Sequence, residues 1–171
     1  MHQQKPNFHE FTVENFMDSC EVFNYIAGKH NQVSLKDIAR QQQLIEEEVI
    51  EGSEAIVDNN AVEVLDACMD VLVTTFGLLQ KLEYLGVDIS KAMQKTADNN
   101  LSKYCKTEQE AFDTSDMYLA KGISTNIKYN SEFDVFVIKN SDTGKILKPI
   151  NFVPNDLSDC VPQELILKGF E

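Results

Sequence analysis

Positive charge is scarce in this chain. Fifteen lysines and arginines stand against 28 aspartates and glutamates, a formal net charge of −13 over 171 residues. A surface that tracks nucleic-acid phosphates needs dense cations, so no nucleic-acid partner is expected. A small phosphorylated substrate is not excluded, because a bound cation reverses the local charge. Cysteines are few and scattered (Cys20, Cys68, Cys105, Cys160), with no CxxC pair and no Cys/His spacing for zinc. A reduced, cytoplasmic setting follows as the expectation. Histidine is rarer still, and His2, His9 and His30 all lie outside the acid-rich segments. That excludes the Glu-x-x-His pairs of di-iron bundles. No GxSxG occurs and no motif ties a Cys to a His, so nucleophile schemes lack support. No apolar run approaches a membrane span, and Met1 to Pro6 hold no apolar signal core, so no membrane partner is expected.

What is present is a series of helical patterns. Residues 1–11 read as a lead-in with Pro6 as a breaker. Thr12 caps a first helix to about Gly28, with Phe16, Cys20, Phe23 and Ala27 as its apolar stripe. Ser34 followed by Asp37 resembles a capping box for a second helix to about Val57. Its stripe is Ile38, Ile45, Val49 and Ile56, and Gly52 in that stripe permits close helix approach. Asp58-Asn59-Asn60 is a turn. A third helix, about Ala61 to Tyr84, is apolar on most of its circumference and therefore expected to be buried, with Gly86 as its C-terminal cap. Asp88 or Ser90 opens a fourth helix to about Tyr104. Short connections between four helices predict a bundle. Residues 107–131 are polar, with one short helix near Glu110 to Ala120. Phe133 to Ile138 and Lys145 to Ile150 then read as strands around the loop Asn140–Gly144. The expectation is a helical domain over 1–106 and a C-terminal extension over 107–171 that holds a β-hairpin and a Pro-rich, loop-like tail.

Two acidic clusters carry the chemistry. Glu47, Glu48 and Glu51 lie on the second helix; Glu63, Asp66 and Asp70 share one face of the third at i, i+3 and i+7. Carboxylates among apolar residues are costly unless paired or bound to metal. Nearby cations are few: Lys36 and Arg40 sit early and Lys81 late. Magnesium, with manganese as the alternative, takes oxygen ligands and is often held by a few carboxylates plus waters and substrate phosphates. The competing reading is a solvated acidic face.

Leu44-Ile45-Glu46-Glu47-Glu48-Val49-Ile50-Glu51, followed by Glu63-Val64-Leu65-Asp66 and Asp70, resembles the EExxE…ExxD signature of the MazG-like all-α nucleoside triphosphate pyrophosphohydrolases. That superfamily also holds dimeric dUTPases and phosphoribosyl-ATP pyrophosphohydrolases. Asp70-Val71-Leu72-Val73 with Gly77, then Gly86-Val87-Asp88 and Asn100-Leu101-Ser102-Lys103, is similar to a further run of one branch. Gly144-Lys145-Ile146-Leu147-Lys148-Pro149 resembles its tail, found in phage-encoded members among others.

The resemblance implies a four-helix MazG-like bundle completed by oligomerisation, as a homodimer or homotetramer. It also implies Mg2+-dependent hydrolysis of a nucleoside triphosphate, dUTP, dCTP or a modified nucleotide among them, to monophosphate and pyrophosphate. Glu47, Glu48, Glu51 and Asp70 become the catalytic set. Glu48, Glu51, Glu63, Asp66 and Asp70 become the metal ligands, and Asn100, Lys103, Lys145 and Lys148 the substrate contacts. Glu63/Asp66 fits ExxD by spacing while Asp70 has the apolar context, so both aspartates stand. The alternative is a nucleotide- or partner-binding protein without catalysis on the same scaffold.

Overall fold

The computed structural model describes residues 12–170; the lead-in, His2, His9 and Pro6 lie outside them. Described elements are α1 (Val13–Ile26), α2 (Leu35–Val57), α3 (Ala61–Tyr84), α4 (Ile89–Leu101), α5 (Glu108–Leu119), β1 (Thr125–Asn130), β2 (Val135–Asn140), a 3-10 turn (Ser158–Cys160) and α6 (Gln163–Lys168). The chain is mostly helical with one small antiparallel sheet, the fold class read from the sequence. No described helix is long and apolar enough to cross a membrane. Two units form: Met1–Ile89 with Cys160–Glu171, and Ser90–Asp159. The division falls between the first two residues of α4, Ile89 and Ser90.

Local chemistry sets the helix ends of the first unit. Thr12 and Asn15 form a capping box for α1, and Ser34 and Asp37 form one for α2. Asn60 accepts from the backbone N–H of Val62 and of Glu63 to start α3. Gly86, at φ +87°, ends α3, with the Val87 N–H returning to the Leu82 carbonyl.

α2 and α3 form a hairpin whose closest approach is built from small residues. A Cβ on Gly52 would lie 3.3 Å from Cβ of Ala67, and Ala55 is also buried. This tight seam changes which apolar side chains are covered. Ile38 and Ile45 are half-buried, but Val49 and Ile56 (67% exposed) flank the seam instead of filling it. α3 is likewise not covered all round: Val62, Leu65 (62% exposed), Met69 and Leu72 face outward. One partner helix laid close along one side leaves the opposite side of an all-round apolar helix open.

Where α1 meets α3 the core is polar. The α1 stripe runs Phe16, Cys20, Asn24; Phe23 and Ala27 are exposed. Phe16 packs edge-on to Phe76. Asn24 Nδ2 donates to Gln80 Oε1 at 2.7 Å, and Gln41 Nε2 donates to the Thr74 carbonyl at 2.9 Å. Gly77 makes room for both amides, since a Cβ there would sit 2.9 Å from Gln41 Nε2. Gly77→Ala gains about 1 kcal/mol of helix propensity but displaces buried, hydrogen-bonded amides, an overpacking that costs about 1–3 kcal/mol. We expect a net destabilisation of about 1 kcal/mol, read as a lower urea midpoint at unchanged slope.

The second unit differs from the expected hairpin. β2 pairs with β1, Ile127 opposite Ile138, so the main hairpin turns at 131–134 rather than at 140–144. The expected second strand shrinks to one bridge, Lys139 with Ile146, and the Leu147 N–H to Ile138 O bond. Pro149 has no N–H to extend that ladder. Cys105, Ala111, Ile138 and Leu147 form the core here.

Candidate active site

The α2–α3 hairpin gathers most of the predicted acids. Moving one helical turn from the Gly52–Ala67 seam, away from the connecting turn, brings Glu48 on α2 toward Asp70 on α3. Glu48 is half-buried and borders a groove of about 280 Å³ lined by Gly52, Ala67, Cys68 and Val71. Loss of water there pushes its carboxyl above the ordinary value of 4.5, and the charges of Asp70, Glu51, Glu47 and Asp66 push it further in the same direction. Four of the predicted carboxylates thus act on a fifth, Glu48.

Glu63 stands apart. It occupies the first turn of α3 beside Asn60, on the other side of the seam from Glu48, and is not among the carboxylates acting on it.

Nothing cationic offsets this face. Among the described residues, no lysine or arginine forms an ion pair with Glu47, Glu48, Glu51, Asp66 or Asp70; the ion pairs are Lys91 and Lys95 with Asp159, and Lys168 with Glu164. Nine of the fifteen lysines and arginines fall in the Ser90–Asp159 unit. Nor do three or more His, Cys, Asp or Glu side chains come together in a group that could hold a metal ion, among the described residues.

The four predicted substrate contacts lie in the second unit. Lys103 Nζ donates to Asn100 Oδ1 at 2.7 Å, joining that pair. Lys145 is exposed beyond the 140–144 turn, and Lys148 Nζ sits 4.6 Å from the Phe152 ring centroid. The sequence reading missed Asn24, Gln41 and Gln80, the polar layer of the first unit. The available signal was Asn24, which continues the Phe16–Cys20 spacing at i+4.

Residues 24–100 match the family described as phosphoribosyl-ATP pyrophosphohydrolase. The chain is 35% identical over 83 residues to Uncharacterized protein L479 of Acanthamoeba polyphaga mimivirus, a match that covers 46% of this chain and 33% of that protein. This chain therefore spans about a third of that relative's length. No solved structure matches. The match runs from Asn24 through both acidic clusters to Asn100, the same stretch that carries the EExxE…ExxD pattern, and over these residues the chain is similar to the phosphoribosyl-ATP pyrophosphohydrolases, consistent with a MazG-like domain.

Proposed function

We propose that the α2–α3 acidic face hydrolyses a nucleoside triphosphate to monophosphate and pyrophosphate, with magnesium (or manganese) held by Glu48, Glu51 and Asp70 and assisted by Asp66 and Glu47. The observation that carries this reading is the crowding of Glu48 by four other carboxylates with no ion-pairing cation. A bound divalent ion supplies Lewis acidity toward the phosphate oxygens. A carboxylate of this face that does not hold the ion would accept the proton of the attacking water. An O–Pα bond forms, the bond from Pα to the bridging oxygen breaks, and pyrophosphate leaves. The outward apolar residues of α3 favour a second copy of the chain as its cover, in a homodimer or homotetramer.

Two measurements test the reaction. A product-resolved screen of canonical, modified and deoxy nucleotides should give pyrophosphate and monophosphate only when magnesium or manganese is added. The melting temperature should rise with magnesium, because a ligand of the native state stabilises it by mass action; at 100 times Kd the gain is about 2.7 kcal/mol. Nucleotide binding without product on long incubation would favour the non-catalytic alternative. An unchanged melting temperature in both metals would favour a solvated acidic face.

A further inference from the structure

β1 is an edge strand whose outer side is open, and the bonds on the far side of β2 fix which groups lie there. Phe136 exchanges both backbone bonds with Cys105, the Ile138 carbonyl accepts from the Leu147 N–H, and the Asn140 N–H donates to the Lys145 carbonyl. Phe136, Ile138 and Asn140 therefore turn their backbone groups away from β1. Their partners across the ladder are Tyr129, Ile127 and Thr125. Residues opposed in this way on antiparallel strands point their N–H and C=O groups away from each other. Thr125, Ile127 and Tyr129 thus present theirs along the outer edge of β1, and no backbone group of the described residues bonds them there. Native edges of this kind are blocked by proline, a bulge or charge. β1 has no proline, its pairing with β2 is continuous, and Lys128 is its one charge.

The edge is complementary to itself. An antiparallel copy laid with Ile127 opposite the partner's Ile127 sets Thr125 opposite the partner's Tyr129, and the reverse. Every outward N–H then meets an outward carbonyl about a two-fold axis. Lys128 stands opposite the partner's Asn126, so the two lysines are not directly opposed. Charge favours the same contact. The chain carries −13 overall, and two copies repel. The Ser90–Asp159 unit holds nine lysines against ten acids, whereas the remainder of the chain holds six cations against 18 acids. Copies that meet at β1 do so on the nearly neutral unit.

We propose that β1 pairs antiparallel with β1 of a second copy, centred on Ile127, joining two hairpins into one four-stranded sheet. The contact is separate from the outward face of α3 and does not depend on the proposed reaction. Short strands bury less than the about 1,000 Å² of a stable interface, so the association is weak and concentration-dependent.

Hydrogen exchange on the full chain reads the pairing directly. The amides of Thr125, Ile127 and Tyr129 should exchange at least about tenfold more slowly at millimolar than at micromolar protein. Those of Asn126, Lys128 and Asn130, which face β2 in either state, should change far less. Ile127→Pro removes an N–H that the β1–β2 ladder does not use. Its circular dichroism spectrum should match that of Ile127→Ala, which keeps the N–H, while its self-association in sedimentation should be at least about tenfold weaker. If the proline variant does not fold, the wild-type exchange pattern decides alone. Outward amides that exchange at the unprotected rate at every concentration overturn the proposal. So do outward amides protected equally at all concentrations, which a segment of the same chain would explain, and a folded Ile127→Pro that associates as Ile127→Ala does.

Discussion

Glu48→Gln should lower kcat for pyrophosphate release by about a hundred- to a thousand-fold without weakening the fold. A metal ion contributes several kcal/mol of charge stabilisation to a phosphoryl transition state, and each 1.36 kcal/mol is a factor of ten in rate. Removing the carboxylate at the centre of the cluster removes a metal ligand. Stability should move the other way. The folded state holds the Glu48 carboxyl above its ordinary 4.5, so it binds the proton more tightly folded than unfolded. As pH rises from about 4.5 through the raised value, ionisation takes stability away, and that loss is complete above the raised value. The glutamine variant carries no such loss. Its melting temperature should equal or exceed wild type at pH 8, with the gap closing toward pH 4. Magnesium should stabilise the wild type more than the variant. Full turnover in Glu48→Gln, or a variant that is both inactive and several degrees less stable, would sink the assignment.

The parts of this fold legible in the sequence are those decided within a few residues. The Thr12 cap, the Ser34/Asp37 box and the Gly86 stop are local chemistry, and all three are seen in the structure. Gly52 in an apolar stripe announced a close contact, and Ala67 supplies it. What escaped depends on partners distant along the chain. Asn24 and Gln41 were missed because the groups that satisfy them, Gln80 and the Thr74 carbonyl, lie on another helix. β1, Thr-Asn-Ile-Lys-Tyr-Asn, was invisible because few apolar residues mark its alternation; β2 and α5 define it. The acidic face shows the same limit. Helical spacing gives the angle of a side chain around its axis but not which turn it meets on the neighbouring helix. The Gly52–Ala67 seam sets that register, and it places Asp70 and Asp66 among the carboxylates acting on Glu48 while Glu63 is left out.

Lys81→Ala should cost about 3 kcal/mol, the largest loss of stability expected from a single residue outside the acidic face. Lys81 lies in the last turn of α3, is 4% exposed, and donates from Nζ to the Lys29 carbonyl at 3.0 Å and the Gln32 carbonyl at 2.8 Å. It thereby fastens the α1–α2 connection to α3. Hydrogen bonds to a charged group contribute about 1.5–3 kcal/mol each, and each buried methylene of the stem about 0.8 kcal/mol. The offset is the burial of the ammonium itself, which holds its pKa below 10.5 against the attraction of Asp37. For a chain of this size about 3 kcal/mol corresponds to a fall of about 6–12 °C in melting temperature. Lys81→Met keeps the stem and loses only the two bonds, so it should fall by about half as much. The sign with pH is set by the lowered pKa. Between the folded value and 10.5 the unfolded chain binds more protons, so wild-type stability rises with pH across that window, and both variants should lack the rise. Hydrogen exchange should accelerate at residues 29–33 in both, because their carbonyl anchor is gone. If Lys81→Ala melts within a degree or two of wild type, the connection is held by the Ser34/Asp37 cap alone and the buried lysine is not its anchor.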